Sequence, residues 1–176
     1  MFALFVSKTF SNPKVCSIAA DHTAVEYFHR NQERLFPNAH IDIATTCLTY
    51  LSFEKFERRI YQNYRELESL LIKYPFYVYA AQNWGHHARG EAEESIKDMA
   101  LNFLRDGPKV DCASNVMLMR RKILPRRSTS GLHVSAFFGL ETILRHQLEN
   151  THMQADASLG DGSNRTPLLF AARNGH

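Results

Sequence analysis

The feature that most restricts this chain is a short frame that occurs twice near its end. "SGLHVSAFFG" (130–139) and "TPLLFAARNG" (166–175) set Leu132 against Leu168, Ala136 against Ala172 and Gly139 against Gly175, an offset of 36 residues. Repeats of roughly this length mark solenoids, in which each unit is a supersecondary element that buries its apolar face only by stacking on a neighbour. The residues fit the inner helix of a helix–turn–helix unit. Pro167 suits a first helical turn, where its missing N–H would have no partner anyway. Ala136, Ala171 and Ala172 allow close approach to neighbours, and Gly139 and Gly175 supply the left-handed residue that ends a helix. Residues 141–149 then form the outer helix, with Ile143, Leu144 and Leu148 expected to face inward. The second copy stops at Gly175-His176, where the turn into its own outer helix belongs. Leu168, Phe170 and Ala172 would be covered by the preceding unit alone, so residues 164–176 are expected to be frayed or weakly docked, and the chain is read as a fragment.

Upstream, apolar residues recur at helical spacing. Thr23 and Glu26 have the spacing of a capping box, ahead of an apolar stripe of Val25, Phe28 and Leu35 that Pro37 ends. Ile41, Ala44, Leu48 and Leu51 share one face of a second helix. Further stretches carry Leu67, Leu70, Leu71 and Tyr74; then Tyr77, Ala80, Ala81, Trp84 and Ala88; then Ile96, Met99, Ala100, Phe103 and Leu104, halted by "DGP" (106–108). A shorter one runs from Val110 to Met119. "FYVYA" (76–80) contains strand formers, but its apolar residues continue at helical spacing through Trp84. The fold class is therefore all-α: a poorly defined segment over 1–20, a helical domain over 21–122, a basic and polar linker over 123–129, and the start of a solenoid over 130–176, with one complete unit and one truncated.

"TPLLFAARNGH" resembles the ankyrin consensus "TPLHLAARNGH", departing from it at Leu169 and Phe170. "SGLHVSAFFG" is a more divergent member, keeping Leu132-His133 but with Gly131 where proline is usual. The loop between the copies makes the period about three residues longer than the ankyrin repeat of about 33. "HTAVEYF" (22–28), "FPNAHIDIATTCLTYLSFEKF" (36–56) and "YPFYVYAAQNWGHHARG" (74–90) look like the helical region of fungal ankyrin-repeat proteins, which lies between a NACHT-type NTPase module and the array. The resemblance covers roughly residues 21–176. It implies a structural role for Leu132, His133, Ala136, Gly139, Thr166, Pro167, Leu168, Ala171, Ala172 and Gly175, with His133 hydrogen-bonding between repeats. It also implies a non-catalytic protein-interaction module, part of a fungal signalling or self-recognition protein, that meets protein partners through its repeats.

Little in the chain points to bond chemistry. There is no G-x-x-x-x-G-K-[ST] phosphate loop and no G-x-S-x-G nucleophile elbow, so neither NTPase nor hydrolase activity is expected. His86 and His87 adjoin on a helix, about 100° apart, with no cysteine at i+4 from either, which favours a place at the core edge beside Trp84 over a metal or catalytic role. His22 reads as a helix-start residue. Cys16, Cys47 and Cys112 form no C-x-x-C pair and read as thiols. No metal, cofactor or small-molecule substrate is expected.

With 44% apolar and 22% charged residues the composition is globular, and no apolar run is long enough for a membrane span. A cytoplasmic location is expected, with the nucleus second. That second option rests on Arg120, Arg121, Lys122, Arg126 and Arg127, a basic run that could contact nucleic acid or act as an import signal. It lacks the interleaved aromatics of single-strand binders, and the net charge of +3 is mild, so a solvated linker is the preferred reading.

Overall fold

The computed structural model describes residues 26–27, 30–56, 64–119, 129–149, 158 and 160–176. All regular structure among them is helical. The chain divides into two compact units between Ala39 and His40. In the first, Asn31 returns both its backbone and side-chain N–H groups to the Tyr27 carbonyl, at 3.1 and 2.8 Å, ahead of a single turn, α1 (Gln32–Leu35). Leu35, expected on an apolar stripe, is exposed; Thr23, Val25 and Phe28 lie outside the described residues.

The second unit, residues 40–176, is built around α4 (Phe76–Ala88). α2 (Ala39–Leu51) buries Ala44, Cys47, Leu48 and Leu51, the i, i+3, i+4, i+7 set of one helix face. A 3₁₀ turn at Glu54–Phe56 then drops Phe56 into the core. α3 (Tyr64–Lys73) contributes Leu67 and Leu70. On α4, Tyr77, Ala80, Ala81, Trp84, Gly85, His87 and Ala88 are all buried, and helices α3, α5, α6 and α7 pack around it. Burial at helical spacing outweighs the strand preference of "FYVYA".

α5 (Glu91–Arg105) has Glu91, Glu93 and Glu94 in its first turn and Arg105 in its last, the arrangement its dipole favours. Ile96, Ala100, Phe103 and Leu104 face the core, but Met99 is 38% exposed. Met99 instead rims an open depression of about 420 Å³ together with Ser52, Asn102, Phe103, Asp106 and Lys109. α6 (Gly107–Met117) starts where Asp106 accepts a hydrogen bond from the Lys109 amide at 3.2 Å, with Pro108 in the first turn.

Of the expected linker only Thr129 is described. It is buried, and its amide donates to Asp111 Oδ1 on α6 at 2.8 Å. α7 (Gly131–Phe138) and α8 (Glu141–Glu149) follow as a helix pair joined by left-handed Gly139. α9 (Pro167–Asn174) lies against α7. Val134, Phe138, Leu140 and Ile143 belong to the same apolar core as Trp84, Ile96, Ala100 and Phe103.

Two expectations for this region change. On α8, Ile143 is fully buried, but Leu148 is 37% exposed and Gln147 is buried in its place. The Ser135 hydroxyl donates to Gln147 Oε1 at 2.7 Å and so satisfies the amide oxygen, while Gln147 Nε2 is buried without a hydrogen-bond partner among the described residues. The terminal segment, expected to be frayed or weakly docked, forms a helix over Pro167–Asn174 against α7. Thr166 accepts from the Leu169 amide at 3.4 Å at its start, and Gly175 closes it at φ +78°.

Candidate interaction surface

The two copies of the repeated frame begin and end alike. α7 opens on Ser130 and α9 on Thr166, both extended; α7 closes on Gly139 and α9 on Gly175, both left-handed. Between α8 and α9 the chain makes a tight turn over 161–165. The Asn164 amide donates to the Asp161 carbonyl at 2.7 Å, and the Asp161 amide donates to the Arg165 carbonyl at 2.9 Å. Asn164 takes φ 56°, a conformation that asparagine tolerates better than most residues.

Asp161 organises this turn. Its Oδ1 accepts from the amides of Ser163 and Arg165, at 2.9 and 3.0 Å, and its Oδ2 from Arg165 Nε and Nη2, at 3.0 and 2.6 Å. Burial raises the carboxyl's pKa. The Arg165 guanidinium and the two amides outweigh that effect and hold it at about 2, so it is a carboxylate at neutral pH. Neither Asp161 nor Arg165 stood out in the sequence, although the turn-forming run "DGSN" (161–164) was a usable signal.

His133 joins the turn to α7. It is 2% exposed. Its Nδ1 accepts from the Ser130 hydroxyl and amide, at 2.8 and 3.3 Å, which leaves the proton on Nε2; that N–H donates to the Arg165 carbonyl at 2.9 Å. The Phe170 ring stands edge-on to His133, with centroids 5.4 Å apart, and the Arg165 guanidinium lies 4.6 Å from the Phe170 centroid on its face. Leu132, Ala136 and Pro167 are buried beside this contact. Leu168 (77% exposed) and Leu169 (42%) are not, and Ala172 is exposed while Ala171 is half-buried. The preceding unit therefore covers Phe170 but neither Leu168 nor Ala172. The outer surface is formed by Leu168, Leu169, Ala172 and the exposed tip Gly162, Ser163 and Asn164.

The other side of α7 is fixed to the helices before it. Phe138 is fully buried, its ring edge-on to Trp84 and His86 at centroid distances of 5.3 and 5.0 Å. Arg89 Nε donates to the Phe138 carbonyl at 2.5 Å, placing a cation at the C-terminal end of α7. Arg89 also reaches the His176 ring at 2.8 Å. The basic run Arg120, Arg121, Lys122, Arg126 and Arg127 lies outside the described residues.

His86 is exposed, whereas His87 is buried, with Nδ1 3.1 Å from His40 Nδ1 and Nε2 2.9 Å from the Tyr79 hydroxyl. Burial, then His40 and His86, lower the His87 pKa, so this ring is neutral at pH 7. Burial pushes the Cys47 thiol up to about 12, far from the thiolate a nucleophile needs. Among the described residues no three His, Cys, Asp or Glu side chains converge on a possible metal position, and no helix is long and apolar enough to cross a membrane. No protein-family model, curated protein or solved structure matches the chain.

Proposed function

We propose that residues 130–176 open an ankyrin-type repeat array and that the chain is a non-catalytic protein-interaction module. In this reading the helices of residues 40–119 couple the array to the rest of a fungal signalling or self-recognition protein of the NACHT-associated type. The observation that carries it is the junction of the two copies of the frame. His133 of the first holds the Arg165 carbonyl at the entrance to the second, Phe170 fills the space between them, and Leu168 and Leu169 stay uncovered. Such a surface works by shape and by a few apolar anchors rather than by bond chemistry.

The test is partner retention by the immobilised chain, compared with its Leu168→Asp/Leu169→Asp variant. Both positions are solvent-facing, so the variant is expected to keep its helical circular dichroism. A partner that uses this surface should lose about 2 kcal/mol or more, roughly thirtyfold in affinity. Partners retained equally by both proteins would contradict the assignment of this surface.

A further inference from the structure

Away from the repeat, four aromatic rings lie beside the ammonium of one exposed lysine. Lys55 Nζ lies 4.5 Å from the Tyr74 ring centroid, 4.7 Å from Phe53, 5.1 Å from Phe56 and 5.4 Å from Tyr50. The rings come from the end of α2, the following link, the 3₁₀ turn and the residue after α3. They form a connected wall, with Tyr50–Phe53 and Tyr50–Phe56 centroids 5.5 Å apart and Phe56–Tyr74 5.4 Å apart. Its base is built without Lys55: Phe56 is fully buried against Tyr77 at 4.4 Å, and Tyr50 stands edge-on to Phe76 at 5.1 Å. Phe53, 43% exposed, forms the rim. Among the described residues no carboxylate pairs with Lys55, and its charge lies against ring faces. Burial, with Tyr74 beside it, pushes the Tyr50 phenol up, so no phenolate contributes to the attraction.

A primary ammonium is a poor match for such a box. It is compact and strongly hydrated, with three N–H donors that ring faces satisfy weakly. A quaternary ammonium has no donors to satisfy and presents methyl groups to every wall, which is the chemistry that aromatic boxes select. We propose that Tyr50, Phe53, Phe56 and Tyr74 form a binding site for a quaternary ammonium group, and that Lys55, carried on the same turn, occupies it and competes with the ligand. Removing Lys55 therefore opens the site.

The experiment is titration of the wild-type chain, Lys55→Ala and Lys55→Ala/Phe53→Ala, followed by the NMR shifts of the box rings. The probes are tetramethylammonium, choline, a trimethyl-lysine peptide and the same peptide with unmodified lysine. Lys55→Ala should bind a methylated probe at least tenfold more tightly than wild type and than it binds the unmodified peptide. The further loss of Phe53, a rim residue, should abolish that gain. Binding of all three methylated probes assigns a free small cation as sufficient ligand; binding of the methylated peptide alone assigns a protein-borne one. Both results support the site. If folded Lys55→Ala binds no methylated probe, or binds modified and unmodified peptides equally, Lys55 is only a side chain laid over aromatic surface and the proposal fails.

Discussion

Gly85 shows most clearly how one residue fixes the position of a helix pair. A β-carbon built on it would lie 2.1 Å from Phe138 Cγ and 2.3 Å from Cδ2, inside the ring. The missing side chain is what lets the fully buried Phe138 ring enter between Trp84 and His86. Gly85→Ala gains about 1 kcal/mol of helix propensity, but overpacking a filled core costs about 1–3 kcal/mol and the clash here is severe. We expect a net loss of roughly 2 kcal/mol in denaturant unfolding. Phe138→Ala alone should cost about 3–5 kcal/mol. In that background Gly85→Ala should cost nothing and recover part of its propensity gain, giving strong non-additivity in a double-mutant cycle. Additive losses would show that the two residues do not share this space.

At the scale of elements, the N-terminus of α8 is capped from a distance. The Leu144 amide bonds to the Leu140 carbonyl, so Leu140 holds the N-cap place; it is fully buried and has no polar side chain to offer. The free amide of Ile143 instead donates to Glu93 Oε1 at 2.8 Å, from a glutamate that is itself 5% exposed in the first turn of α5. Glu93→Ala should therefore cost about 1–3 kcal/mol by leaving a buried amide unpaired. Glu93→Gln, which keeps an acceptor oxygen, should cost clearly less in the same unfolding experiment. Equal losses would mean that packing, not the hydrogen bond, sets the residue. The elements themselves were legible in the sequence because the buried sets of α2, α4 and α5 recur at 3.6-residue spacing, and α7 and α9 carry their own caps and terminal glycines. The cap on α8 was not legible: its partner is 50 residues away, and a first-turn glutamate looks like any dipole-favoured surface acid. Gln147 and Leu148 failed for a related reason. Helical phase alone could not distinguish them without the Ser135 hydroxyl that bonds the Gln147 side-chain oxygen. The Lys55 box also depends on a contact that the chain order does not display, from Tyr74 to Phe56.

At the scale of the whole molecule, one apolar core runs from Ala44 to Ile143, and α9 lies beside it, held on α7 by Phe170, Pro167 and the bond from His133 to the Arg165 carbonyl, with Arg89 reaching His176 at its end. Regions held by so few buried groups open at lower free energy than the rest. The interaction surface depends on that contact, since Leu168 and Leu169 are positioned only while α9 stays docked on α7. The central claim, that two copies of the frame stack in tandem through His133, is tested most directly by native-state amide hydrogen exchange on the wild-type chain and on His133→Ala. In the wild type, amides 170–174 should be protected well beyond unfolded-chain rates. In the variant they should exchange roughly ten- to hundredfold faster, the loss expected for one missing buried hydrogen bond and a missing ring, while amides of α5 remain as before. Unprotected amides in wild-type α9, or protection there that ignores the loss of His133, would contradict the stacked-repeat account.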